Sequence, residues 1–192
     1  MPSVYDTFEQ LTFPSRVEWR DWLADNHATA PGIWVVYHHP KAATAGQPTY
    51  DEAVEEALCF GWIDARARRV DADRSRHVFV PRRANGNWSA TNVARVAQLQ
   101  AAGRMTPAGQ ATVDAAIADG SWARSAAAAA LEEPDDLRAA LDADPLARAG
   151  WDRIAPSTRK QLLIQLMSVK RPDTRTARVA RMVGLSRERE SQ

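Results

Sequence analysis

The order of apolar and polar positions divides the chain into a mixed first half and a helical second half. In residues 14–27, PSRVEWRDWLADNH, Val17, Trp19, Trp22 and Leu23 recur close to a helical stripe, with Trp19 off its centre. Ser15 stands as N-cap, with Glu18 as its capping-box partner. Pro31-Gly32 breaks the pattern, and Ile33 to His38, β-branched, aromatic and uncharged, predicts a buried strand. His39 to Pro48 predicts a loop. Thr49 and Glu52 form a second capping box. They open a helix with Ala53, Ala57, Leu58 and Phe60 turned inward and Glu52, Glu55 and Glu56 turned outward. Gly61 ends it. Residues 63–70 and 76–81 predict two further strands. The turn Asp71–Arg74 joins them in a hairpin that needs a bulge or a short loop. In the first of these strands Asp64, Arg66 and Arg68 alternate with Ala65, Ala67 and Arg69.

Beyond Pro81 the pattern turns helical. Ser89 caps a helix to about Ala102, with Val93, Val96, Ala97 and Leu99 as its apolar positions and Gly103 as its stop. Thr106-Pro107 opens another, closed by Gly120. The alanine run 126–130 reads as helical and as a linker between the halves. Pro134 and Asp144-Pro145 open two short helices. Ser157 or Thr158 caps a helix to about Lys170, and Pro172-Asp173 starts a last one that Gly184 stops, leaving a polar tail. The expected fold is α+β: a small, mainly antiparallel sheet of about three strands packed with helices in residues 1–125, then a helical C-terminal subdomain over 126–192.

Composition changes this picture little. The 192 residues, 45% hydrophobic and 26% charged, suit a globular chain. A single cysteine and four scattered histidines offer no disulfide and no zinc spacing, so neither metal nor cofactor is expected. No signal peptide or membrane span is visible, and the expected compartment is the cytoplasm. Charge is more informative. Residues 1–60 carry 3 basic and 9 acidic side chains, 61–104 carry 9 and 3, 105–150 carry 3 and 8, and 151–192 carry 10 and 4. Such blocks either attract one another within the fold or present basic surfaces to an anionic partner.

The most suggestive chemistry is Arg82-Arg83 followed by Trp88, Ser89 and Asn92. This places guanidinium groups beside a helix N-terminus, where free N–H groups favour an anion. Trp88 offers a stacking face, and Asp64 can anchor one arginine. In the structural reading of the same residues Trp88 staples the helix, Ser89 caps it, and the arginines pair with Glu52, Glu55 and Glu56. Trp122 and Trp151 also lie at helix starts and are surface candidates, whereas Trp19, Trp22, Trp34 and Trp62 fall on core elements. Cys59, between Leu58 and Phe60, reads as core packing. An enzyme built near Cys59, Asp64 and Arg82 needs Cys59 or Asp64 exposed in a cleft with a base at hydrogen-bond distance. Nucleic-acid binding through the basic blocks 66–104 and 153–189 needs both on one surface.

YDEAVEEALCFGWID (50–64), FVPRR (79–83), NWSATN (87–92), GRM (103–105), PSTR (156–159) and KRPDTR (170–175) together resemble the YdeI/OmpD-associated family. The resemblance covers nearly the whole chain. It implies a bacterial protein linked to bacteriocin protection or an outer-membrane porin, with no reaction or cofactor attached. The function expected is a non-enzymatic cytoplasmic protein binding a small anion or metabolite, linked to envelope stress or bacteriocin tolerance. The expected ligand residues are Asp64, Arg82, Arg83, Trp88, Ser89 and Asn92.

Overall fold

The computed structural model describes residues 3–38 and 46–190, so most of the predicted loop from His39 to Pro48 lies outside the described residues. The elements are β1 (Gln10–Leu11), α1 (Arg16–Asn26), β2 (Ile33–His38), α2 (Tyr50–Cys59), β3 (Trp62–Arg69), β4 (Arg74–Pro81), α3 (Ala90–Ala101), α4 (Pro107–Ala118), α5 (Ser121–Ala129), α6 (Asp135–Asp142), α7 (Pro145–Asp152), α8 (Pro156–Met167) and α9 (Pro172–Glu190). The fold class is α+β. The chain divides into two units: Met1–Gly86 with Thr91–Asp119, and Asn87–Ala90 with Gly120–Gln192.

In the first unit the sheet has the order β1-β2-β4-β3. β1 runs parallel to β2, and the β2–β4 and β3–β4 pairs are antiparallel. Four strands stand where about three were expected, because β1 is two residues long and two residues carry no readable alternation. Register places Ile33, Val35 and Tyr37 on one face with Phe79, His77 and Ser75. α1 and α2 meet this face: the Trp19 ring lies 5.4 Å from Phe79, and the Tyr50 ring 4.4 Å from His77. The Trp19 indole donates to Ala53 O (3.0 Å), Trp62 to His27 O (3.0 Å) and Trp34 to Tyr5 O (2.7 Å). Each of these rings is thereby buried with its one polar atom satisfied.

The local signals at the helix starts hold physically. Ser15 Oγ accepts from Glu18 N–H, Thr49 and Glu52 form a full capping box, and Thr106 caps α4 ahead of Pro107. Gly61 adopts φ +77° as α2 ends, and a side chain there would run into Thr112. Gly109 is equally constrained, since a Cβ would overlap Cys59 O. These two glycines let α4 sit against the C-terminal end of α2. There Thr106 donates both N–H and Oγ1 to Cys59 O, at 3.1 and 2.6 Å.

In the second unit Leu137, Leu141, Trp151, Leu163, Leu166 and Met182 form the centre of the core. Several expectations need correction here. The 126–130 run is not a linker between packed halves: residues 126–129 belong to α5, and Ala128 is fully buried. α8 starts at Pro156 with no side-chain cap, so neither Ser157 nor Thr158 caps it. α9 passes through Gly184 to Glu190, held by the buried Ser186, which donates to Met182 O (2.8 Å), and by the Arg187–Asp144 pair (2.5 Å). Trp151 is buried, its indole N–H donating to Glu133 Oε1 (2.7 Å), and is not a surface ring.

Candidate functional site

The register of β3 against β4 shifts between Asp64 and Arg66: Asp64 stands opposite Phe79 and Arg66 opposite Val78, which leaves Ala65 as an extra residue. A bulge of this kind re-aims side chains. Strict alternation would have put Asp64, Arg66 and Arg68 on one face. The bulge instead sends Asp64 to the helix-covered face and the two arginines to the other.

On the helix-covered face Asp64 Oδ2 accepts from the Tyr50 hydroxyl at 2.9 Å. Tyr50 is the first residue of α2, so the Thr49 cap that starts the helix also fixes the position of the phenol. Its ring meets His77 at 4.4 Å and Tyr37 at 6.4 Å, and Tyr37 meets His77 at 5.4 Å. Tyr37 is 8% exposed, and among the described residues its hydroxyl finds no hydrogen-bond partner. A buried hydroxyl left in that state costs about 1–3 kcal/mol, a value that asks for an explanation.

The charges around these rings are perturbed. Burial, then the Asp64 carboxylate, pushes the Tyr50 phenol up to about 12. Burial, reinforced by Tyr50 and Asp64, raises Tyr37 well above the usual tyrosine range. Burial lowers His77 despite the pull of Asp64, favouring neutral imidazole. Arg82, whose N–H donates to Gly61 O (2.9 Å), has its guanidinium brought down to about 10 by burial, against the opposing attraction of Asp64. One carboxylate therefore acts on two phenols, an imidazole and a poorly solvated guanidinium. Perturbed groups gathered in this way are a common mark of functional sites.

Of the residues expected at a ligand site, Asp64 lies in this cluster, and Arg82 lies near enough to feel its charge. Arg83 is exposed where the chain leaves β4. Asn92 is buried, and its Oδ1 accepts from Arg95 Nη1 (3.0 Å). Arg95 in turn pairs with Asp51, the neighbour of Tyr50. Trp88 is 3% exposed, not an open stacking face; its N–H donates to Ser125 Oγ (2.9 Å), and its ring lies 4.8 Å from Trp122. Trp88 and the exposed Ser89 belong to the second unit. Tyr37, Tyr50 and His77 were not singled out as a site from sequence. Only the register of three strands and one helix start gathers them, and a linear pattern carries no sign of that.

Cys59 is fully buried, and burial pushes its thiol up against the opposing hydrogen bond from Arg20. That is the setting of a packed cysteine and not of a nucleophile. Beside it Glu56, expected to face solvent, is 1% exposed. It accepts from Arg16 Nε (2.5 Å), Arg20 Nη1 (2.6 Å) and Arg104 Nη2. Glu55 takes Arg16 at 2.7 Å, and Arg16 lies 3.6 Å from Glu52. The acidic helix therefore pairs with Arg16, Arg20 and Arg104, where Arg82 and Arg83 were the expected partners. Among the described residues no group of His, Cys, Asp and Glu is arranged to hold a metal ion, and no helix is long and apolar enough to cross a membrane.

No curated protein and no solved structure matches the chain. Two family models do. Residues 130–189 match the family described as Bacteriocin-protection, YdeI or OmpD-Associated, which supports the family resemblance over the helical end. The motifs between Tyr50 and Met105 fall instead within a longer match over residues 11–112. That match spans more than half of the chain, including β2, β3, β4 and the Asp64 cluster, and on it the chain belongs to the family described as Domain of unknown function (DUF8412).

Proposed function

We propose that the protein is a non-enzymatic cytoplasmic binder of a small anionic metabolite, taken up at the Asp64–Arg82 end of the first unit. One observation carries this reading. The Tyr37 hydroxyl is buried without a partner among the described residues, in a cluster whose Asp64 carboxylate also acts on the half-buried Arg82. Arg82 meets the anionic group of the ligand, and the exposed Arg83 adds a second cation. Asp64, with Tyr50 on one oxygen, keeps capacity to accept from a ligand hydroxyl or amine. Tyr37 gains the partner it lacks. Trp88 takes no part, because its indole is buried, and Ser89 belongs with the second unit. The match of residues 130–189 to a bacteriocin-protection family supports envelope stress or bacteriocin tolerance as the setting.

The test is a thermal-shift panel of phosphate, phosphorylated metabolites and small carboxylates. A ligand at 100 times its Kd stabilises by about 2.7 kcal/mol, which a melting curve resolves readily. Arg82→Met and Asp64→Asn should each remove the response. Tyr37→Phe should remove or blunt it without lowering the melting temperature of the free protein, since it deletes a hydroxyl that has no partner. A response that survives both Arg82→Met and Asp64→Asn places the ligand elsewhere, and a panel with no response at all rejects the anion.

A further inference from the structure

The face of the sheet opposite Asp64 carries a second, separate arrangement. Arg66 and Arg68 of β3 share it with Arg74 and Arg76 of β4 and with Trp34 of β2. Arg68 and Arg76 are direct register partners. Like charges placed directly opposite on a sheet destabilise it, and here they are retained. Both guanidiniums lie over one indole, with Arg76 Cζ 4.5 Å and Arg68 Cζ 5.6 Å from the Trp34 ring centroid. Arg66 lies over Tyr5 at 5.5 Å.

The carboxylates on this face do not balance the cations. Asp6 takes Arg68 (2.8 Å), and Asp71 takes Arg74 (2.6 Å). Arg76 reaches only the neutral Gln10 side chain (2.5 Å), and its Nε is buried without a partner among the described residues. Arg66 is exposed and has no ion pair among them. Two carboxylates thus stand against four positive charges, with Asp6 acting on Arg66 as well as Arg68, and three of the side chains are already ordered over rings. Ordering before contact removes part of the entropy that binding would otherwise cost.

We infer that this face binds single-stranded nucleic acid, with the arginines on successive phosphates and their planes against bases. Along each strand, same-face arginines stand two residues apart, about 6.8 Å, and the two rows lie about 4.8 Å from each other. A small anion meets one or two such groups, whereas a phosphodiester chain meets all four. Guanidiniums held over aromatic rings also offer planar groups on which unpaired bases stack, which an acidic peptide cannot use. The sheet face is independent of the Asp64 site, since the bulge at Ala65 separates the two.

Fluorescence anisotropy of a labelled single-stranded dodecamer, titrated with the full chain at several salt concentrations, tests this. Binding at low salt should weaken with a log–log slope of about −1.4 to −3, at about −0.7 per neutralised phosphate, from Arg66 and Arg76 alone up to all four arginines. Arg66→Ala, at an exposed position, should weaken binding at least about five-fold and flatten the slope by about 0.7, with an unchanged melting curve. Arg76→Gln should do the same, and Arg159→Ala in the second unit should change nothing. Lack of binding at low salt overturns the inference. So do tighter binding to the duplex of the same sequence, equal competition by polyglutamate, or an affinity and slope that Arg66→Ala leaves intact.

Discussion

Glu56 is the residue whose charge the first unit can least do without. It is 1% exposed and holds three guanidiniums, so neutralising it leaves several cations without their acceptor. Glu56→Gln is expected to destabilise the fold by about 3 kcal/mol in urea unfolding, the scale of breaking a buried ion pair. Glu52→Gln, at a half-exposed pair, should cost less than about 1 kcal/mol. The sequence could not reveal this difference. Glu52, Glu55 and Glu56 share one helix face, and acidic residues default to solvent. The residues that overturn the default are Arg20, Arg16 and Arg104, which lie 36, 40 and 48 positions away. The candidate site was legible to a similar depth. Asp64 and Arg82 stood out by their charge at strand ends. Tyr37, Tyr50 and His77 looked like ordinary strand and helix residues until the pairing of β2, β3 and β4 brought them together.

At the scale of elements, most caps were legible because they act over three residues, α8 with its uncapped start at Pro156 being an exception. Thr49, Thr106 and Asp144 all cap where expected. Helix ends were less so. A glycine stops a helix when the chain has reason to leave it, and α9 has reason to continue. Val179, Met182 and Ser186 prolong its buried stripe past Gly184, and the serine concealed that stripe in the sequence. Nothing lies within 4 Å of a Cβ built on Gly184. Gly184→Ala should therefore stabilise by up to about 1 kcal/mol through helix propensity alone, read as a raised melting temperature. β1 escaped detection for the opposite reason: it exists only through its pairing with Trp34 and Val35.

Over the whole molecule, the alternating blocks of charge are largely used within each unit. In the first, Glu55 and Glu56 meet Arg16, Arg20 and Arg104. In the second, Asp136 meets Arg175 and Asp144 meets Arg187. Arg175 holds the Asp136 carboxyl below its ordinary value of 3.8. The N–H of Ala147, with Arg187, does the same for Asp144. Burial raises Glu133, but Arg148 and Trp151 outweigh it, so this carboxyl also ends below its ordinary 4.5. Groups depressed in the folded state contribute stability that is present above their unfolded values and lost as pH falls through the folded ones. Melting temperature should accordingly hold near neutrality and fall below about pH 4, with a shallower fall in Asp136→Asn. The bulge at Ala65 bears on the chain as a counted object. Outside it, β3 obeys parity: each residue added or removed exchanges the two sides of everything beyond it. Ala65 is the one place where the count is already odd, so its deletion keeps Asp64 and Arg66 on their present sides, whereas deletion of Ala67 transposes the rest of the strand. Length variation within β3 is therefore tolerated at a single position, and the two faces keep their separate sets of side chains only while that count is kept.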